Sequence, residues 1–398
     1  MLAPIDPSDR AQALERCRLR KMAKSAHAYV RGNTALFYEW LAVADLAKDV
    51  PRGPSIWICG DCHVGNLGPL ADADAQVDIQ IRDLDQTVIG NPAHDLIRLA
   101  LSLASAARGS DLPGVATAHI IEAMIDGYAR ALEDRRSPDE ARQPDLVRSV
   151  RRRAVGRGWK HLARERIENP DPKIPLGRRF WNLSESERAA LDAVFERPDM
   201  EALLLQLSDR ETSKRVRLLD AAYWVKGCSS LGQGRFAAIA EVEGTTGRSL
   251  ALIDFKAAAP SVAPAARRVR MPRDPGARIV AGAKALSPNL GARMLPVKLL
   301  GQSYVARELK PQDLKIEVRQ FTRPEAVKAA FYLANVVGRA HARQLDKHAR
   351  IEWAQQLRGE AFGSLDAPPW LWRTVVKLMA RHEAAYLEHC RRFALAGN

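Results

Sequence analysis

Residues Trp57–Ala100 read WICGDCHVGNLGPLADADAQVDIQIRDLDQTVIGNPAHDLIRLA, and the reading of this stretch decides the fold. Asp61 is followed five residues later by Asn66, and an apolar run then delivers Asp83 and Asp85. Phosphoryl transfer from Mg-ATP requires one carboxylate to accept a hydroxyl proton, and an amide and a second carboxylate to hold magnesium against the phosphates. Ile56–Cys59 and Val77–Ile81 are short apolar runs bounded by turn formers, which predicts two strands presenting loops. A lone Asp or Asn in a Gly-containing loop is commonly a turn residue bonding its own backbone. The flanking strand signals raise these residues above that ordinary reading.

Gly60-Asp61-Cys62-His63-Val64-Gly65-Asn66 resembles the G-D-x-H-x-x-N catalytic loop of aminoglycoside phosphotransferases and other protein-kinase-like enzymes. Ile81-Arg82-Asp83-Leu84-Asp85 resembles their I-D-F-G-D metal segment, and Gly90-Asn91-Pro92-Ala93-His94-Asp95-Leu96 their G-D-P-x-x-D-L. The segments KMAKSAHAYVRGN, WVKGCSSLGQGRF, LIDFKAAAPSV and VVGRAHARQ, with the Asp61–Asp95 block, are similar to a bacterial family, domain of unknown function 2252. That likeness covers most of the chain and implies no established activity. The kinase-like likeness implies Asp61 as catalytic base, His63 as the residue ordering the loop, and Asn66 and Asp83 as magnesium ligands. Asp95 is implied to brace the loop from below. Cys59 stands where the phosphotransferases have His, and Leu84-Asp85 replace Phe-Gly, so Asp85 is either a further metal contact or a helix cap.

A kinase-like enzyme also needs a β-rich lobe over ATP. The residues before Asp61 read as helical, Thr34–Ala47 above all, so this lobe is expected downstream. Tyr223–Phe236 places Gly227, Gly232 and Gly234 between apolar strands, followed by a strand, a turn at Glu243–Gly247 and LALIDFKA with Lys256 near its end. Glycines let a hairpin backbone approach phosphate oxygens, and a Lys on the third strand pairs with them. Gly232, Gly234 and Lys256 are therefore the expected nucleotide contacts. No acidic residue occurs in Ala257–Arg273, and Glu308 is the one substitute suggested for the usual glutamate partner of the lysine.

The expected fold is α+β and mostly helical, a two-lobed protein-kinase-like fold with its lobes in circularly permuted order. Residues 1–210 form the helical lobe with the catalytic loop, 211–320 the nucleotide lobe, and 321–398 helices packing on the first. Helices are expected at Gly114–Leu132, Ser184–Leu207, Pro324–Leu345 and Trp370–Phe393, and the Pro- and Arg-rich Ala259–Ala277 as a mobile loop over the site. His341 and Arg343 are read as bridges between lobes, and the place of Arg31 in AYVRGN is left open.

With 398 residues and 46% hydrophobic content the chain can bury a large core, and no apolar run reaches membrane-spanning length. Five scattered cysteines and the absence of a secretion signal imply a cytoplasmic setting. Cys59-Gly60-Asp61-Cys62-His63 fits the C-x-x-C-H haem-attachment pattern, which needs an exported chain, so that match is read as accidental. The net charge of +14 is concentrated in residues 148–166, a solvated helix face or a surface for nucleic acid or a polyanionic substrate. The expected cofactors are ATP and Mg2+, and the expected partner is a small-molecule acceptor. The alternatives are a catalytically silent nucleotide-binding protein and a nucleic-acid-binding protein using the basic run.

Overall fold

The computed structural model describes residues 7–72, 74–110, 112–133, 143–205, 215–227, 231–244, 247–314, 316, 322–358 and 368–395. The fold is mixed α+β, with 53% helix and 18% strand, so most of its mass is helical. Three helices, Arg10–Met22, Ala26–Gly32 and Thr34–Leu41, lead into the decisive stretch. Ser25 Oγ caps the second by accepting from Ala28 N at 3.1 Å. The helix expected over Thr34–Ala47 stops at Leu41 and resumes as a single turn at Ala44–Ala47.

The stretch itself folds as two nested antiparallel pairs. Strand β1 (Ile56–Ile58) pairs with β4 (Val88–Gly90), and β2 (Leu67–Ala71) pairs with β3 (Val77–Ile81). The β1–β2 connection carries Asp61 and Asn66, and the β3–β4 connection carries Asp83 and Asp85. Nesting brings these connections together, because Leu67 at the start of β2 faces Ile81 at the end of β3. Behind them runs the Ala93–Arg108 helix, buried at thirteen of its sixteen residues. Being apolar nearly all round, it can only sit inside the protein.

Helices Gly114–Glu133 and Arg323–Ala342 pack along their length against each other. The second begins where a Thr322–Glu325 capping box and Pro324 would start it. Their close approach depends on two glycines. A Cβ on Gly127 would lie 2.1 Å from the Phe331 carbonyl oxygen, and one on Gly338 2.7 Å from the Ala131 side chain. The long helix Pro369–Leu395 closes the helical part. Among the described residues no helix is long and apolar enough to cross a membrane.

Six strands form the remaining sheet: β5 (Phe180–Trp181), β6 (Arg215–Trp224), β7 (Arg235–Gly244), β8 (Gly247–Ala257), β9 (Met294–Leu299) and β10 (Gln302–Leu309). Their order is β5-β6-β7-β8-β10-β9, and every neighbouring pair is antiparallel. One face packs Phe236, Ile253 and Phe255 against residues of helices Glu185–Phe195 and Pro198–Leu205. Those helices replace the single one expected over Ser184–Leu207: the break falls at Pro198, which opens the second, and residues 206 and 207 lie outside the described set. The sheet is interrupted by helices Pro275–Leu286 and Pro288–Gly291.

The stretch read as a mobile loop is a strap. Ser261 Oγ donates to the Gln86 carbonyl at 2.8 Å, Val262 N to Gln86 Oε1 at 2.7 Å, and Ala266 N to the Ile89 carbonyl at 2.8 Å. Ala263 is buried in the main core. The strap thus clamps the β3–β4 connection to the sheet.

The glycine contact gives a stability test. Gly127→Ala must push the two helices apart and is expected to cost at least about 1–3 kcal/mol in denaturant unfolding. Gly114→Ala on the same helix, where a Cβ meets nothing within 4 Å, is expected to cost nothing. Equal stability of the two variants would contradict the packing described.

Candidate active site

The helical part and the charged face of the sheet enclose a cleft of about 540 Å3. Asp61, His63, Gly65, Asn66, Arg82 and Asp83 line it from the nested strands. Arg235, Asp254, Lys256, Arg307 and Leu309 line it from the sheet, and Lys21, Lys24 and Arg31 from the N-terminal helices. Segments far apart in the chain therefore share one space.

The loop holding Asp61 is fixed from beneath. The buried Asp95 carboxylate accepts from Cys59 N at 2.7 Å and Gly60 N at 2.9 Å, and bonds His341 Nε2 at 3.2 Å. His341 Nδ1 meets Tyr128 Oη at 2.8 Å, and that oxygen accepts from Trp353 Nε1 at 3.1 Å. This buried chain binds the loop to four helices, the last being Lys347–Arg358, which carries Trp353. Gly60 turns at φ +75°, where a Cβ would lie 2.1 Å from the Gln86 carbonyl oxygen. Tyr38 Oη donates to the Gly60 carbonyl at 2.6 Å.

Asp61 itself is held by Arg98, whose Nε donates to Oδ1 at 2.8 Å. Arg98 is fully buried in the Ala93–Arg108 helix, one turn after the buried Asp95. Asp61 Oδ2 lies 4.0 Å from His63 Nε2. Burial first, and then the charges of Arg31 and Arg98, hold the His63 imidazole well below its usual value, so it is neutral. Asn66 Nδ2 donates to the Asp61 carbonyl at 2.9 Å, which turns its amide oxygen toward other partners.

Lys256 reaches across from β8. Its Nζ lies 3.3 Å from both Asp83 oxygens and forms a shorter ion pair with Asp85. Desolvation opposes the Asp83 charge, but Lys256 outweighs it and holds this carboxyl far below the usual range. Desolvation and the Asp83 charge together push Asp85 up to about 6. The three groups form one coupled unit with both acids on a single ammonium.

Register explains which sheet residues face them. Lys256 stands opposite Arg235 on one side and Val305 on the other, while Asp254 stands opposite Arg307. Directly paired residues point to one face, so Arg235, Asp254, Lys256 and Arg307 all look into the cleft. Glu308, suggested as partner for Lys256, pairs with Ile253 and so belongs to the opposite face. Asp83 and Asp85 take its place.

Gly227 lines the cleft, whereas Gly232 and Gly234 stand beside it without lining it. Gly232 turns at φ +100°, and Gly234 makes room for the Tyr304 hydroxyl, which an added Cβ would meet at 2.0 Å. Residues 228–230 between them, and Thr245 and Thr246 of the expected turn, lie outside the described residues.

Several residues of the site escaped the sequence reading. Arg235 binds Asp254 through two bonds, Nε to Oδ1 at 2.8 Å and a shorter one to Oδ2. Burial would raise the Asp254 carboxyl, but Arg235 holds it at about 2. Asp313 is a second hub. Its carboxylate accepts from both terminal nitrogens of Arg293, at 3.1 and 3.0 Å, and from Arg307 at 3.0 Å. Its carbonyl accepts from Arg82 at 3.0 Å and Arg166 at 2.6 Å. Arg166, the last residue of the basic run, also lines the cleft, while Arg148, Arg151 and Arg157 are engaged by Asp145, Gln143 and Glu165. Arg98 had a legible signal, a charge one turn after Asp95 in a helix otherwise apolar along its middle, which must find a buried partner. Asp313 had none.

The family described as an uncharacterized protein conserved in bacteria, DUF2252, matches residues 10–392. The chain belongs to this family. No curated protein and no solved structure matches it. The family segments converge on the cleft, since AYVRGN contributes Arg31, LIDFK contributes Asp254 and Lys256, and VVGRAHARQ supplies His341 beneath the loop. Cys59 and Cys62 are both fully buried, with the Cys59 thiol raised by its bond to Cys62 and by burial. Neither sulfur offers the access that haem attachment requires.

Asp313 provides a pH test. Burial would raise its carboxyl, but Arg293 and Arg307 outweigh that and hold it well below the ordinary 3.8. A depressed native value stabilises the fold above the unfolded value and loses that contribution as pH falls through it. Asp313→Asn is expected to cost about 3–5 kcal/mol near neutrality, because it leaves Arg293 buried and unpaired. The gap from wild type should narrow below about pH 4. Unfolding curves whose separation is the same at pH 7 and pH 3 would contradict this role.

Proposed function

We propose that this chain is an ATP- and Mg2+-dependent phosphotransferase acting on a hydroxyl of a small, non-protein acceptor. In this reading the fold is two-lobed and kinase-like, with the helical lobe first and the nucleotide lobe second. The observation that carries it is the ion pairing of Lys256 with Asp83 and Asp85, groups 173 and 171 residues apart in sequence. A phosphate lysine and a metal carboxylate must meet at one point in such an enzyme. Lys256 and Asp83 lie beside Asp61 and Asn66 in a single cleft, which supports this reading.

The donor set fits the metal. Asn66, Asp83 and Asp85 offer hard oxygens, which magnesium prefers, and magnesium on a nucleotide uses one or two carboxylates while phosphates and water complete its shell. When bound, Mg2+ would neutralise phosphate charge. The rest of the chemistry falls to the chain. Asp61, oriented by Arg98, accepts the proton of the acceptor hydroxyl. Lys256 moves from the carboxylates onto phosphate oxygens, and Arg235 and Arg307 keep the surrounding field positive. The cleft lining carries nine Lys and Arg residues against three Asp, a balance suited to a polyanion.

The position of Glu308 on the far face of the sheet supports a second reading, a nucleotide-binding protein without transfer activity. ATP turnover that depends on Asp61 separates the two. The engagement of Arg148, Arg151 and Arg157 by their neighbours gives the nucleic-acid reading no such support.

Titration calorimetry with Mg-ATP tests the proposal. Lys256→Ala and Asp83→Asn are each expected to weaken binding by about tenfold or more, and Asp83→Asn to abolish turnover without loss of fold. Absence of Mg-ATP binding by the wild type, or full activity in Asp83→Asn, would overturn it.

A further inference from the structure

The charges that line the cleft are not all engaged by side chains of the protein. Each of its three carboxylates is engaged by a different cation: Asp61 by Arg98, Asp83 by Lys256, and Asp254 by Arg235. Arg82, Arg166 and Arg307 all rest on Asp313. Lys21 donates to the Gly227 carbonyl at 2.8 Å. The side chains of Arg31 and Lys24 make no hydrogen bond or ion pair among the described residues; Arg31, Arg82, Arg166 and Arg307 each bury an Nε without a partner, but the last three are held at another nitrogen and Arg31 is not. A guanidinium with a buried, unmatched N–H is costly unless something else supplies the acceptor.

Arg31 is nonetheless held in place. Its guanidinium lies over Gly65 of the catalytic loop, where a Cβ would come within 2.9 Å of Cζ and 3.0 Å of Nη2. The residue before it, Val30, accepts from Arg98 Nη2 at 2.8 Å, and the same Arg98 holds Asp61. One buried side chain thus ties the backbone carrying Arg31 to the carboxylate read as the base. Lys24, exposed, lines the same cleft from the turn before that helix. The lysine that meets the metal carboxylates, Lys256, comes from the opposite wall, on β8.

We propose that Arg31, assisted by Lys24, forms an anion subsite for the acceptor, so that the acceptor carries a phosphate group in addition to the hydroxyl that reacts. The guanidinium fork matches a phosphate through two parallel bonds. A guanidinium fork with an exposed lysine on the same cleft wall suits a dianion better than a single carboxylate. The inference rests on the phosphotransferase reading for the word acceptor, but the anion subsite itself does not require it.

The test is calorimetric binding of inorganic phosphate and glycerol 3-phosphate to the full chain, with acetate and glycerol as controls. Both phosphates are expected to bind, and the controls to bind far more weakly. Arg31→Ala should weaken phosphate binding by about tenfold or more, while its Mg-ATP affinity stays within about twofold of wild type. Lys256→Ala should do the reverse. Arg31→Lys keeps the charge and loses the fork, so it should retain only part of the phosphate affinity, and it serves if the alanine variant does not fold.

Phosphate binding unaffected in both Arg31 variants, or absent from the wild type, overturns the proposal. So does phosphate binding lost in Lys256→Ala, which would place the anion on the nucleotide side. Acetate binding as tightly as phosphate overturns the assignment of a phosphate. If the wild type binds phosphate through Arg31 yet binds no Mg-ATP, the transfer reading falls and the anion subsite stands.

Discussion

Asp95 is wholly buried beneath the loop that carries Asp61, and a carboxylate in that position is tolerable only when donors surround it. Its donors are the backbone of Cys59 and Gly60 and the ring of His341. This requirement shapes the helical part of the molecule. The loop must turn at Gly60 to present two successive N–H groups downward, which sends the Asp61 side chain up toward the cleft. His341 must sit one helix deeper, so Arg323–Ala342 has to approach closely, and glycines at 127 and 338 permit it. Tyr128 and Trp353 then complete the chain of partners. The loop is rigid because the interior cannot satisfy Asp95 in another way.

At the cleft, beside the point where Val305 of β10 joins the main apolar core, the sheet meets the β3–β4 connection through charge. Its inner face presents Arg235, Asp254, Lys256 and Arg307 by strict alternation, with one carboxylate among three cations. The opposing surface offers Asp83 and Asp85. Two acids on one lysine join the parts without filling the space between them, and such a joint can exchange partners. An apolar interface at the same place would have closed the cleft. The strap over residues 258–274 adds a second tie, because Gln86 receives its hydrogen bonds and Arg278 donates to the Asp85 carbonyl at 2.7 Å.

Local chemistry made much of this legible. Val77–Ile81 alternates and is bounded by turn formers, and it is a strand over those residues. The helices opening near Gly114, Arg323 and Pro369 follow their periodicity and caps. What could not be read depends on register and on partners distant in sequence. Glu308 looks like a reasonable partner for Lys256 until the β8–β10 register places it on the other face. Asp313 sits in a Pro-Gln-Asp turn with nothing to mark it, and only the fold brings four arginines onto it. The split of the expected 184–207 helix was readable, since Pro198 is a strong helix starter and a poor interior residue. Lys21, Lys24 and Arg31 all fall in the family-like KMAKSAHAYVRGN, but nothing local in that segment says which of its side chains face the cleft.

Those N-terminal cations also bear on how the cleft behaves. Nine Lys and Arg side chains around about 540 Å3 repel one another, and three aspartates do not offset them. Asp313 relieves part of the strain by binding arginines from outside the lining, which is why a residue absent from the cleft wall controls its charge. The rest remains as a positive field in the cleft, where Arg31 and Lys24 meet no counter-charge among the described residues. A polyanion entering the cleft would remove repulsion as well as form bonds, so its binding should stabilise the junction of sheet and helices more than its contacts alone suggest. The same unbalanced charge would favour an anionic occupant over a neutral one, because a neutral occupant would leave the repulsion in place.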